Sequence, residues 1–156
     1  MKTVFTGFLT PLVAAVALTL PAAPAFSDPA EDAIDYRQSV FNVAGWNFKK
    51  LGAMVKGEID YDPAEFAAMA ELVASMSRIA GEGFIPNSDS MFGETRAKDE
   101  VWSDREKFDE YLVDWQEASD QLVIAAGGGD MKQIRATFKQ TADSCKACHD
   151  DFRTKR

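Results

Sequence analysis

Apolar residues recur every three or four positions along four long stretches of the chain, which is the spacing of one face of an α-helix. These stretches predict a first helix over residues 29–56, a second over 63–81, a third from about 100–103 and a fourth from 131 into the tail. The positions predicted to face the core are Ala33, Tyr36, Val40, Phe41, Ala44, Phe48, Leu51 and Val55, then Phe66, Met69, Val73, Met76 and Ala80, then Phe108, Tyr111, Leu112, Trp115, Ala118, Leu122 and Ala125, and finally Ile134, Phe138, Thr141, Cys145, Cys148 and Phe152. No stretch alternates with period two for long enough to predict a sheet, so the predicted fold class is all-α.

The segments between these helices contain helix-boundary residues. Gly57 fits a helix C-cap, Asp62 followed by proline fits an N-cap, and Asp130 can cap the last helix. The connections after the first and third helices are short, which favours antiparallel neighbours and predicts an up-down-up-down four-helix bundle. Residues 81–99 are rich in glycine, proline and turn formers, and we expect them to form the one long loop.

The first 25 residues have the features of an export signal. After Met1 and Lys2 the chain is uncharged to residue 20, and Ala23-Pro24-Ala25 fits the small-x-small pattern cut by signal peptidase. We predict a signal peptide over 1–25 that is removed, and a single bundle domain over 26–156, the size of one ordinary domain. An uncleaved membrane anchor is the alternative.

The chain is acidic, with 17 Lys or Arg residues, 25 Asp or Glu residues and a formal net charge of −8. Removing the signal takes away one lysine and no acid, which moves the net charge to −9. Such a surface repels nucleic acid and anionic lipid, so we expect no nucleic-acid partner and no stable membrane anchor. The sequence shows no paired carboxylates, nucleophile–base set or phosphate loop, so we expect no conventional enzyme active site.

Both cysteines and the one histidine of the chain form a C-x-x-C-H motif, Cys145, Cys148 and His149. On a helix these three positions share one face and point toward the same object. A zinc site is disfavoured because one helical turn cannot surround a metal tetrahedrally. A redox dithiol is an alternative for an exported protein, but such pairs usually occupy a helix N-terminus, whereas this pair lies near a C-terminus.

Covalent c-type haem explains the motif best. Both thiols would form thioethers with the haem vinyl groups, and His149 would be the axial iron ligand, so the predicted cofactor is one covalent haem c. The sixth iron position then separates a gas binder from an electron carrier, because a methionine ligand would close it. Met54 is the best candidate for that ligand, and the other methionines after the signal are Met69, Met76, Met91 and Met131.

Three segments, "EDAIDYRQSVF", "GETRAKDEVWSD" and "SCKACHDDFR", occur in the order found in the cytochrome c′ family, the four-helix-bundle haem proteins of the bacterial periplasm. The whole chain after the signal resembles that family. The resemblance implies a periplasmic monohaem cytochrome with a five-coordinate, high-spin iron that undergoes one-electron redox and binds nitric oxide or carbon monoxide. The alternative is a low-spin, Met-ligated electron-transfer cytochrome of the same bundle class.

The same resemblance assigns side chains around the haem. It places Phe41 on the distal face, where its ring cannot ligate iron, and Arg153 beside the proximal imidazole. It places Arg37 and Gln38 near a haem propionate, for which an exposed helix face is the alternative.

Further expectations from the resemblance concern the loop and the partners. Glu94 and Thr95 would approach the haem edge through their backbone groups. A homodimer would form through the first two helices, and Trp46 and Phe48 are surface aromatic residues compatible with it. The other expected partners are diatomic gas ligands and an unidentified periplasmic redox protein.

Overall fold

The computed structural model describes residues 28–91 and 93–155, and most of them are helical. The helices are α1 (Pro29–Lys56), α2 (Pro63–Ile79), the single turn α3 (Glu100–Ser103), α4 (Arg105–Gly128) and α5 (Met131–Phe152). Within the described ranges there is no strand, and the one isolated antiparallel bridge joins Ala97 to Arg153. The predicted all-α class is confirmed, and α1, α2, α4 and α5 are the long helices of a four-helix bundle.

Aspartate side chains begin three of the long helices, as the sequence predicted for two of them. The carboxylates of Asp28, Asp62 and Asp130 each accept a hydrogen bond from the amide two residues on, at 2.8 to 2.9 Å. These bonds satisfy amides that have no partner within the helix. At the other ends, Gly57 and Gly129 have φ of 73° and 72°, the left-handed conformation that glycine adopts without strain, and they end α1 and α4.

The predicted third helix is interrupted near its start. The turn α3 ends at Ser103, and Asp104 leaves the helical region with φ −120° and ψ 53° before α4 begins. The second helix also ends earlier than predicted, because the chain tightens into a 3₁₀ turn over Ala80–Gly83 after α2. Both departures lie at the ends of the long loop, where local hydrogen bonds compete with the helix.

The four long helices form a ring in which α1 packs on α2, α2 on α4 and α4 on α5, while α1 and α5 close the ring with the least contact. Buried side chains form two clusters. The first core cluster comprises Leu51, Met54, Phe66, Met69, Ala70, Val73, Leu122, Ala125, Ala126 and Ile134. The second core cluster comprises Val40, Ala44, Ala80, Phe84, Val101, Phe108, Leu112, Trp115 and Phe152.

The seam between α1 and α5 fixes which residues lie at the same height. The two helices meet where Phe48 stacks on Phe138, with ring centroids 4.5 Å apart and planes 9° apart. Gly52 permits this approach, because a Cβ there would lie 3.1 Å from Cζ of Phe138. Phe41 lies seven residues back along α1 and Cys145 lies seven residues on along antiparallel α5, about 10 Å in each helix. Phe41 and Cys145 are therefore level with each other.

The predicted inner face of α1 is displaced by one residue at its start. Ile34 and Arg37 are each 2% exposed, whereas Tyr36, which was predicted to face the core, is 37% exposed. The apolar pattern alone could not predict this displacement, because the buried position is held by an arginine.

Two predictions concern the N-terminal part of the chain. The proposed signal peptide, residues 1–25, lies outside the described residues. Among the helices that are described, none is long and apolar enough to cross a membrane.

Candidate haem site

The C-x-x-C-H motif occupies the last turns of α5. Cys145 and Cys148 are free, half-buried cysteines that pack against the second core cluster. His149 follows them on the same side of the helix and is exposed. The helix thus holds two thiols at the edge of the core and an imidazole beside them at the surface.

The protonation of these three groups follows from their surroundings. Desolvation raises the pKa of the Cys145 and Cys148 thiols to about 11. Although much of the His149 side chain is exposed, desolvation of its ring lowers the pKa, and the charges of Arg153 and Arg96 lower it further. At neutral pH the imidazole is therefore neutral, which is the form that binds a metal. Thiols with a raised pKa are poor nucleophiles, which argues against a dithiol oxidoreductase.

Phe41 lies level with the motif, on the facing helix. Its half-buried ring stacks on Trp115, with centroids 5.7 Å apart and planes 18° apart, and meets Phe84 edge-on at 6.2 Å. It packs against the same second core cluster as the two cysteines. Trp115 is buried, and its indole N–H has no hydrogen-bond partner among the described residues. None of these three side chains has an atom that ligates iron.

Arg37 is buried and ties the long loop to α1. It is 2% exposed, and its Nη1 donates to the Gly83 carbonyl and to Ser88 Oγ, both at 2.9 Å. Nη2 donates to the Ser88 carbonyl at 2.7 Å and to Thr95 Oγ1 at 2.9 Å. The guanidinium also lies over the Phe84 ring, 4.8 Å from its centroid, and desolvation lowers its pKa to about 10. The alternative of an exposed helix face is therefore wrong for Arg37.

The neighbouring predicted residues lie on the surface. Gln38 Nε2 donates a hydrogen bond to the Glu94 carbonyl at 2.7 Å, and both residues are exposed. Glu94 and Thr95 are thus held against α1 by Gln38 and Arg37. Contact of these four residues with a haem propionate or haem edge stays a prediction.

Residues 94–98, which we call the strap, continue from α1 to the end of α5. Ala97 forms its antiparallel bridge with Arg153, and the Thr154 amide donates to the Arg96 carbonyl at 2.9 Å. Arg153 is exposed and its charge lies close enough to His149 to lower the pKa of the imidazole, while its place on the proximal side of the haem stays a prediction. The strap therefore joins the helix that holds Phe41 to the turn that follows the motif.

The methionines considered as a sixth iron ligand lie in different parts of the bundle. Met54 belongs to the first core cluster and lies 13 residues along α1 from Phe41, about 20 Å, so its proposed ligation of the iron is wrong. Two more methionines lie in or against that cluster, and one is 86% exposed in the long loop: Met69, Met131 and Met91. Among the described residues, Met76 is the one methionine that packs against the second core cluster, from α2, whereas the two cysteines pack against it from α5.

A polar network near the motif could not be predicted from the sequence. Tyr111 donates a hydrogen bond to Asp151 Oδ2 at 2.8 Å, and Lys107 Nζ lies 2.8 Å from the same oxygen. Together they hold the end of α5 against α4, where Phe152 packs edge-on against the Tyr111 ring. The i, i+4 spacing of Lys107 and Tyr111 was visible in the sequence, but their acidic partner lies 40 residues beyond Tyr111.

The residues present fit a covalently attached haem c. Two free thiols and a neutral imidazole share one side of α5, beside the seam where the bundle packs least closely. The half-buried Phe41 ring and an unpaired buried N–H, that of Trp115, lie at the same end of the bundle. An apolar group in the seam would bury this surface further. Fold and site together define a helical-bundle c-type cytochrome.

Comparison with known proteins narrows this class to one family. The sequence profile described as Cytochrome C′ matches residues 32–153. The cytochrome c′ of Alcaligenes xylosoxydans xylosoxydans is 35% identical over 131 residues, which cover 84% of this chain and 99% of the relative. That of Halomonas halodenitrificans is 38% identical over 127 residues, which cover 79% and 96%.

Solved structures agree with the sequence matches. Cytochrome c prime from Shewanella frigidimarina superposes with a TM-score of 0.78 at 40% identity, over 83% of this chain and 99% of that chain. A nitric oxide complex of a point mutant of cytochrome c prime from Alcaligenes xylosoxidans gives a TM-score of 0.76 at 34% identity, over 84% and 99%. The chain belongs to the cytochrome c′ family, and its cofactor is a single covalent haem c.

Proposed function

We propose that this chain is a periplasmic cytochrome that binds nitric oxide or carbon monoxide at a five-coordinate haem iron and undergoes one-electron redox, without enzymatic turnover. The observation that carries the proposal is the position of Phe41, a side chain that cannot ligate iron, level with the haem-attachment motif. Its ring is stacked on Trp115 and meets Phe84 edge-on, which supports a place where it would cover the facing side of the haem without a bond to iron. The nitric oxide complex of a relative is consistent with a gas ligand.

The motif residues have separate parts in this function. Cys145 and Cys148 would form the two thioethers, and His149 would be the axial ligand. The bound haem supplies a one-electron couple and one open coordination position. Phe41 would shield that position from water and anions, while a small neutral gas enters when the ring moves aside. Arg153, next to the imidazole, would border the proximal face.

Location and assembly complete the proposal. Export follows from the predicted signal over 1–25, leaving one domain over 26–156 in the periplasm, where a redox protein would exchange its electron. The homodimer would use the exposed apolar side chains of the first two helices, Val43 at 42%, Trp46 at 77% and Leu72 at 44% exposure. Phe48 is not part of that surface, because it is half-buried against Phe138.

A low-spin electron carrier is the second candidate function, and the position of Met76 is the observation that favours it. This methionine packs against the same core cluster as the cysteines and is the remaining side chain there with a thioether sulfur. Met76 lies on α2, whereas Phe41 lies on α1, the helix that faces the motif across the seam. We therefore rank the gas-binding function, with an open iron position, above the electron carrier.

Carbon monoxide binding to the reduced protein distinguishes the two functions. We expect the optical spectrum of the wild-type holoprotein to shift on adding carbon monoxide, and the Met76→Leu variant, whose side chain has similar volume, to behave the same way. A wild-type spectrum indifferent to carbon monoxide, together with a responsive Met76→Leu variant, would show that Met76 closes the iron and that the protein is an electron carrier.

A further inference from the structure

The C-terminal end of α5 has no glycine cap. Arg153, which follows the helix, is extended with φ −126° and ψ 132°, rather than left-handed as in a glycine cap. The last four carbonyls of an α-helix have no partner within it and need one from elsewhere. His149 begins this last turn, so whatever holds the turn also holds the backbone of the histidine.

Lys98 of the strap supplies the missing partners. Its Nζ donates hydrogen bonds to the carbonyls of Asp150 and Asp151, at 3.1 and 2.7 Å. Its backbone amide donates to the carbonyl of Phe152 at 3.0 Å. One residue thus satisfies three carbonyls of the turn, and its positive charge lies at the negative end of the helix dipole.

Among residues 28–91 and 93–155, no hydrogen bond holds the imidazole ring of His149. Among the described residues, no group accepts a hydrogen bond from its ring, although a metal-bound histidine usually donates its second N–H to a carbonyl or carboxylate. His149 as a residue is also exposed, so few neighbouring side chains fix the orientation of its ring. The direction of the ring therefore depends on the backbone of the last turn.

We propose that Lys98 is a positioning residue for the axial histidine, acting through the three carbonyls of the last turn of α5. The inference rests on the proposed ligation of iron by His149. Because the strap is also bonded to α1 through Thr95 and Glu94, Lys98 connects the helix that holds Phe41 to the turn that holds His149.

The test compares two variants. Lys98→Met keeps the aliphatic stem and removes the ammonium group, whereas Lys98→Gln replaces the ammonium group with an uncharged amide that can still donate hydrogen bonds. The control is Lys146→Met, which removes a charge from the same end of α5, where Lys146 forms an ion pair with the exposed Asp150 carboxylate. Two readouts on the holoprotein are needed. Hydrogen exchange of the amides at the end of α5 measures how firmly the last turn is held. The iron–histidine stretching band in the resonance Raman spectrum of the reduced protein measures how the His149 ring is held against the iron.

We expect Lys98→Met to speed exchange at the end of α5 by about tenfold or more, since two hydrogen bonds from a charged donor are lost. Its iron–histidine band should shift and broaden, Lys98→Gln should be intermediate, and Lys146→Met should match the wild type in both. If Lys98→Met yields no holoprotein, the comparison of Lys98→Gln with Lys146→Met decides the question in the same way.

Two results would overturn the proposal. Faster exchange with an unchanged iron–histidine band would make Lys98 a helix cap without influence on the ligand. No change in either readout would mean that the hydrogen bonds of Lys98 do not hold the last turn of α5 in place. An absent iron–histidine band in the wild type is a different result, because it would refute ligation by His149 while the exchange data still report the cap.

Discussion

Replacing Phe41 by alanine should open the iron to gas and accelerate its binding. In the proposed function, the ring must leave its place before a ligand reaches the metal, and doing so breaks its contacts with Trp115 at 5.7 Å and with Phe84 at 6.2 Å. Each aromatic pair contributes about 0.5–1.5 kcal/mol, so the displacement costs about 1–3 kcal/mol. Removing that cost predicts an association rate about 5 to 150 times faster in Phe41→Ala.

The assay is the rate of carbon monoxide binding to the reduced holoprotein after flash photolysis. Phe48→Ala is a matched control, because it also removes a half-buried aromatic ring from α1. The Phe48 ring stacks on Phe138 with centroids 4.5 Å apart, two helical turns away from Phe41. Both variants should lose stability to a similar extent, about 2 kcal/mol. The carbon monoxide rate should change only in Phe41→Ala.

Either of two results would refute this reasoning. Equal rates in the wild type and Phe41→Ala would show that the ring does not control access. Equal acceleration in Phe41→Ala and Phe48→Ala would show that general loosening of the bundle, and not the position of the ring, admits the ligand.

Three further predictions test the loop, its packing and the dimer. Arg37→Met leaves the loop carbonyls of Gly83 and Ser88 without their donor and should lower the free energy of unfolding by about 3 kcal/mol in denaturant titrations. Gly83→Ala should cost at least about 2 kcal/mol in the same measurement, because the new Cβ would lie 2.5 Å from Cβ of Arg37. Trp46→Glu places a charge on the most exposed aromatic residue of α1 and should convert the proposed homodimer to a monomer in sedimentation experiments.

Each of these variants has a counterpart that should behave differently. Gln38→Ala removes one exposed hydrogen bond and should cost less than about 1 kcal/mol. Gly45→Ala meets no atom within 4 Å on the exposed face of α1 and should stabilise the protein by about 0.5–1 kcal/mol. Ile124→Glu changes a residue that is 66% exposed on α4 and should leave the proposed homodimer intact. The corresponding explanation fails if a variant and its counterpart give the same result.

The parts of the fold that could be predicted from sequence depend on local spacing. Gly57, Asp62 and Asp130 mark helix ends through interactions within a few residues, and the structure places each where it was expected. The motif of Cys145, Cys148 and His149 likewise shares one helix face through i, i+3 and i+4 spacing alone.

The features that escaped prediction depend on distant partners. Arg37 bonds to Ser88 and Thr95, which lie 51 and 58 residues away, so its burial cannot be inferred from the pattern around it. Lys98 caps carbonyls 52 and 53 residues further along the chain for the same reason. Met54 looked like a candidate ligand until the register of the bundle placed it in the other core cluster.

The electron paramagnetic resonance spectrum of the oxidised holoprotein tests the central claim most directly, because the spin state of ferric iron reports whether the position facing Phe41 is open. A five-coordinate iron with His149 as its one axial ligand predicts a high-spin signal. A purely low-spin signal would mean that a second strong ligand is bound, and the open site over Phe41 would have to be abandoned.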